Sequence, residues 1–299
     1  MKKFLPAMAL LSVLQLQAQI DPVKYPTYTG ITEALKSKDP VYSISFRGKG
    51  MFNLPREITQ LKSVFFLNLM ENKFEKIDEA VFGLKELTIL NLTGNSIKYI
   101  PDAVATLQKL ENLSLNLNSL TGVNPAVAKL QKLKVIRLDA NNLYVFPEAL
   151  LQIPALEEIN LEGNQISFIG ERLDRITGLR SLNLASNQIN DMGNLRFPER
   201  LKDLELQHNA IPELPANLYR LEHLELLNVS NNALQALSPA VKGLKNMVSL
   251  NLAHNRLKDL PEEISRLKNL KTLLLTGNPM EKSTVEKIRK MLPGATVYF

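Results

Sequence analysis

The sequence predicts an α/β solenoid, a stack of short repeated units, and three observations carry that prediction. The pattern L-x-x-L-x-L-x-x-N-x-L recurs between residues 64 and 280, as in Leu87, Leu90, Leu92, Asn95 and Ile97, and again in Leu156, Ile159, Leu161, Asn164 and Ile166. The asparagines that close the motif are Asn72, Asn95, Asn118, Asn141, Asn164, Asn187, Asn209, Asn232, Asn255 and Asn278, spaced by 23 residues five times, 22 once and 23 three more times. Such regularity marks ten copies of one supersecondary unit. Each motif also has a period of two: in Leu90-Asn91-Leu92 both leucines point into a core and Asn91 points out. A lone strand of this kind leaves its leucines in water, so each unit has to be covered by the next.

The repeated asparagine sits where the chain bends away from its strand and backbone groups lose their ladder partners. Its carboxamide both donates and accepts, so the ten asparagines read as a buried structural ladder. The ends of such a stack need lids. Val41, Ile44, Phe46 and Met51 fill the repeat positions of a degenerate first unit, with Lys49 where asparagine belongs, and Ile31 to Lys38 reads as a short helix opened by Gly30. Residues 19–63 are thus an N-terminal cap, 64–280 the ten repeats, and 281–299 a C-terminal cap with a helix over Glu281 to Leu292 and a last strand from Thr296 to Phe299. The one 22-residue unit contains Asp191 to Pro198 and predicts a shortened loop on the side away from the strands.

After the strand motif, Ile100-Pro101-Asp102-Ala103-Val104 and Leu260-Pro261-Glu262-Glu263-Ile264 supply an L-P-x-x-I extension. With it the chain resembles the leucine-rich repeat family, in the 23-residue class that is similar to the Ras-suppressor group, over about residues 41 to 299. That resemblance implies a right-handed superhelix with a parallel sheet on its concave side and an irregular or short-helical convex side. It also implies a usual role in recognising protein or peptide partners.

Lys2 and Lys3, an apolar run from Phe4 to Leu14 and the polar stretch ending at Gln19 resemble a bacterial secretory signal peptide, placed at 1–18 with cleavage near Ala18. The expected location is therefore secreted or periplasmic; were the leader retained, an intracellular signalling adaptor would be the alternative. No later apolar run is long enough to span a bilayer, so the mature chain is expected to have no membrane span. The net charge of +6, or +4 without Lys2 and Lys3, is dispersed, which argues against nucleic acid. The chain has no cysteine, which removes disulfides, thiolate metal sites and cysteine nucleophiles.

Motifs for chemistry are absent: there is no phosphate-cradling glycine loop and no G-x-S-x-G elbow. His208 and His254 lie two repeats apart, roughly 10 Å, too far to share one zinc ion. Asp139 and Glu162 hold equivalent outward positions on adjacent strands with Glu158 beside them, a spacing that would suit a retaining glycosidase or calcium. An open sheet without walls to exclude water makes them instead a solvated face. In the next column Glu111, Lys134, Glu157 and Arg180 alternate in sign, as paired neighbours do. Lys62, Lys85, Lys109, Lys132, Lys245 and Lys268 read as a solubilising flank.

The expectation is a non-catalytic scaffold, without cofactor or metal, that binds a protein or peptide through the concave face. A carbohydrate is the alternative ligand, through the outward amides Asn68, Asn91, Asn160, Asn183, Asn228 and Asn251. The partner-binding residues are expected in the N-terminal half, where Phe66, Met70, Ile89 and Val135 point outward and Leu117 lies just past its strand.

Overall fold

A computed structural model describes residues 24–170 and 172–299; the expected leader at 1–18 lies outside the described residues. The strands are β1 (Thr27–Tyr28), β2 (Ser43–Ser45), β3 (Phe66–Asn68), β4 (Ile89–Asn91), β5 (Asn112–Ser114), β6 (Val135–Arg137), β7 (Glu158–Asn160), β8 (Ser181–Asn183), β9 (Asp203–Glu205), β10 (Leu226–Asn228), β11 (Ser249–Asn251), β12 (Thr272–Leu274) and β13 (Thr296–Tyr298). They form one open parallel sheet whose spatial order is the order of the chain. The register aligns like with like: Leu67, Leu90, Leu113, Ile136, Ile159 and Leu182 pair in series. All six side chains are buried. The fold is the expected solenoid, with the sheet on its concave side.

Most returns on the convex side contain a short 3-10 turn. In Asp102–Thr106 and Glu262–Arg266 the preceding Pro101 and Pro261 have extended backbones that lead into the turn. Proline suits that place, because its fixed φ matches and its missing N–H would have had no partner inside the turn. The turns bury Val104 and Ile264, which roof the leucines of the strands. Between β8 and β9 the chain crosses without such a turn, burying Met192, Leu195 and Phe197 instead. This is the 22-residue unit.

The asparagine ladder ties neighbouring units together. Asn141 donates from Nδ2 to the carbonyl oxygens of Leu115 (3.0 Å) and Leu138 (2.9 Å), and its Oδ1 accepts from the Leu120 amide (2.9 Å). The same arrangement recurs at Asn164, Asn187 and Asn255. Lys49, which replaces asparagine in the first unit, is exposed. Helix α1 (Ile31–Lys36) buries Ala34 against that end and α2 (Lys282–Met291) buries Val285 and Ile288 at the other. Thus α1 ends at Lys36, two residues earlier than Lys38, with Ser37 as its C-cap. Among the described residues no helix is long and apolar enough to cross a membrane.

Candidate ligand-binding face

Because the strands alternate, the side chains one residue before and one residue after each central leucine face outward on the concave side. A third outward column follows two residues later, at Met70, Thr93, Asn116, Asp139, Glu162, Ala185 and Gln207. These columns are the broad surface that the solenoid offers a ligand.

At its N-terminal end this surface is not the open apolar patch expected from the sequence. Phe66 and Ile89 are only 8% and 6% exposed, because Tyr25 and Phe65 pack over them. Tyr25 meets Tyr42 and Phe65 edge-on, with ring centroids 5.3 and 5.2 Å apart, a favoured aromatic geometry. The segment before β1 therefore covers the end of the concave face. Met70 and Val135 are half-buried, whereas Leu117 is 55% exposed and held at φ 54°. Left-handed backbone is uncommon for leucine, so this side chain gains neither relaxed backbone nor burial.

In the middle of the face the acids are not a solvated surface. Burial drives the Asp139 carboxyl up to about 6; Glu162 and Glu158 push it further up, while its own backbone amide and Arg137 hold it down. Burial likewise drives Glu205 up to about 7, with Asp203 and Glu162 adding repulsion and the amides of Asn228 and Gln207 opposing it. Asp203 is raised for the same reason, first burial and then Glu225. Stacking strands about 4.8 Å apart crowds these side chains until they desolvate one another. Arg137 is the basic group among them, with its side chain 12% exposed and Nη2 2.8 Å from Glu158 Oε1. Four atoms here are closed to water and make no hydrogen bond among the described residues: Arg137 Nη1, Asp139 Oδ1, Glu205 Oε2 and Gln207 Oε1.

A stability consequence follows with a definite sign. A carboxyl whose folded pKa lies above its unfolded value binds more protons when folded, so stability falls as pH rises from the unfolded value through the folded one. For Asp139 and Glu205 that window runs from about 4 to 7. Lowering the pH from about 8 to about 5.5 is expected to raise unfolding free energy by about 2–3 kcal/mol. The Asp139→Asn/Glu205→Gln variant is expected to lose most of that rise in denaturant titrations at the two pH values. An unchanged rise in the variant would place its source elsewhere.

The outward asparagines have structural work of their own. Oδ1 of Asn68, Asn91, Asn160, Asn183, Asn228 and Asn251 each accepts from the backbone amide two residues on, at 3.0–3.1 Å. These bonds shape the bend out of each strand. Each of these amides, expected as carbohydrate contacts, thus already accepts one backbone hydrogen at its carbonyl end. On the flank, Lys134 pairs with Glu111 (2.7 Å), Arg180 with Glu157 (4.0 Å), Lys202 with Glu225 (2.7 Å), Lys109 with Glu86 and Lys245 with Glu222. The flanking lysines are therefore partly spent on neighbouring acids, and such exposed pairs contribute little stability. Sequence reasoning passed over Arg137, Glu205 and Gln207, although reading the outward columns for charge would have found two of them. It also passed over Tyr99, Tyr144 and Phe168, which stand exposed on the turn flank. Among the described residues no three histidine or acidic side chains are grouped to hold a metal ion.

Comparison with known proteins agrees with this architecture. A family model described as leucine rich repeat matches residues 66–120, 108–166 and 222–280. A leucine-rich repeat protein of Leptospira interrogans is 35% identical with a TM-score of 0.80, over 87% of this chain and 66% of that one. The chain thus spans just under two thirds of that relative's length. An internalin of Listeria monocytogenes is 25% identical with a TM-score of 0.63, over 81% of this chain and 76% of that one. The ectodomain of an Arabidopsis thaliana membrane receptor kinase, solved in complex with Casparian strip integrity factor 2, shares the fold at 23% identity and a TM-score of 0.61, over 86% of this chain and 34% of that one. No curated protein matches the chain. Repeat pattern, open parallel sheet, asparagine ladder and these matches agree, and the chain belongs to the leucine-rich repeat family.

Proposed function

We propose that the protein is a non-catalytic scaffold that recognises a protein or peptide partner on its concave face, centred on β6 to β9. The leucine-rich repeat fold commonly mediates protein–protein recognition, and its members are generally binding scaffolds and not catalysts. The observation that carries the reading is the cluster of charged outward residues on this face, Arg137, Asp139, Glu158, Glu162, Asp203 and Glu205. A surface that concentrates charge in one place suits complementary groups brought by another molecule. Leu117, exposed beside this region, is an apolar anchor at its edge.

The same reading places the protein outside the cytoplasm. It draws on the signal-like leader, and the likeness to a leucine-rich repeat protein of Leptospira interrogans and an internalin of Listeria monocytogenes agrees with a bacterial-type leader. A photo-crosslinking residue at Ser181, on the concave face, is expected to capture the partner from envelope or culture-medium extracts. The same probe at Lys129, in the convex turn Pro125–Lys129, is expected to capture none. Crosslinking from Lys129 and not from Ser181 would reverse the assignment of the face.

A further inference from the structure

Across the three outward columns from β3 to β12, charged residues occur only in the middle. β3 to β5 present Phe66, Asn68, Met70, Ile89, Asn91, Thr93, Asn112, Ser114 and Asn116, and β10 to β12 present leucine, asparagine, serine, alanine and threonine. Between them stand Arg137, Asp139, Glu158, Glu162, Asp203 and Glu205, five acids and one base. This occurs in a chain whose net charge is +6, so the acidic stripe is not a by-product of composition.

The chain does not neutralise the stripe itself. Arg137 is engaged with Glu158, which leaves Asp139, Glu162, Asp203 and Glu205. Of these, Glu162 accepts an amide hydrogen from Asn183 (3.0 Å), a neutral donor. The flanking cations nearest the stripe, Lys134, Arg180 and Lys202, turn to Glu111, Glu157 and Glu225 on the flank itself. The remaining carboxylates repel one another, Glu162 and Asp203 acting on Glu205, and Glu162 and Glu158 on Asp139. A cation placed among them would gain their attraction and relieve their repulsion in a partly desolvated setting, where charges interact more strongly than in water.

We propose that the concave face of β6 to β9 receives a basic, extended segment of a protein partner, with lysine or arginine side chains seated among Asp139, Glu162, Asp203 and Glu205. This deepens, and rests on, the reading of the concave face as the binding surface. Four strands span about 14 Å, the length of four or five extended residues. Alternate side chains of such a segment reach one face, so three basic residues, each separated from the next by one other, reach from one end of the stripe to the other. The uncharged surfaces on either side admit the backbone without like-charge repulsion and set the register by shape.

The test uses fluorescence anisotropy with the full chain and a labelled Gly-Arg-Gly-Arg-Gly-Arg-Gly peptide at low ionic strength, where exposed charges are least screened. The wild type is expected to bind this peptide and not its glutamate counterpart. Asp203→Asn/Glu205→Gln is expected to weaken binding at least tenfold at a melting temperature no lower than that of the wild type, since isosteric amides relieve repulsion. Glu75→Gln/Glu86→Gln, which removes the same charge away from this face, is expected to leave affinity within twofold. Equal losses in the two variants would reduce the effect to net charge and overturn the proposal. So would absence of arginine-peptide binding, or binding of the glutamate peptide or of maltoheptaose at this stripe. If Ser181 crosslinks a partner while the arginine peptide fails, the cationic segment is wrong and the binding face stands. Crosslinking from Lys129 alone would remove the face as well.

Discussion

Asn164→Ala is expected to destabilise the protein by about 2 kcal/mol, read as a lower denaturant midpoint at unchanged slope. Its Nδ2 donates to the carbonyl oxygens of Leu138 and Leu161, both at 3.0 Å, and its Oδ1 accepts from the Leu143 amide at 3.0 Å. Asn141 and Asn187 also donate to those two carbonyl oxygens, so alanine strands one group, the Leu143 amide, in a place the leucines keep dry. One unsatisfied buried group costs about 1–3 kcal/mol. Asn160→Ala makes the informative comparison. Its outward side chain gives up one bond, from the Glu162 amide at 3.0 Å, in a partly exposed turn, so about 1 kcal/mol is expected. Equal losses in the two variants would contradict the division between buried ladder and outward turn.

Gly243→Ala is expected to cost about 3 kcal/mol or more, because overfilling a packed site displaces its surroundings. A Cβ at Gly243 would overlap the Tyr219 carbonyl oxygen of the preceding turn, Leu218–Arg220. The obstacle is backbone, which has no rotamer to change, so the turn Pro239–Gly243 would have to lift from its neighbour. Gly122→Ala provides the control: nothing lies within 4 Å of its Cβ position. There a neutral or slightly stabilising change is expected, since alanine lowers the entropy of the unfolded chain. Similar melting temperatures for the two variants would mean that the convex turns stack more loosely than drawn.

The fold was legible in the sequence because repeat packing is nearly one-dimensional. A unit that needs a covered leucine strand and an asparagine at its bend writes both into every copy, and Asn72 to Asn278 announce the stack. The candidate site was legible only in outline. Period-two alternation correctly turned Phe66 and Ile89 to the concave side, but exposure there depends on Tyr25, from a segment with no repeat pattern to place it. The same limit applies to Asp139 and Glu205. Alternation says that they face outward, whereas their burial comes from side chains on neighbouring strands, and so does the rise in their pKa. The role of Asn160 was hidden for a different reason. Its bond is to the Glu162 amide in its own turn, and an outward asparagine otherwise looks like any polar surface residue.

The order of the strands in the sheet, identical to their order in the chain, has a mechanical meaning. Among the described residues nothing joins the first unit to the last except the units between, so a load applied at the two ends passes through every interface in series. The resistance of the whole is then that of its weakest joint and does not grow with length. The crossing between β8 and β9, which lacks the 3-10 turn that braces other returns, is where such an array would part first. A partner lying across β6 to β9 would bridge that joint, acting as a splint as well as a ligand.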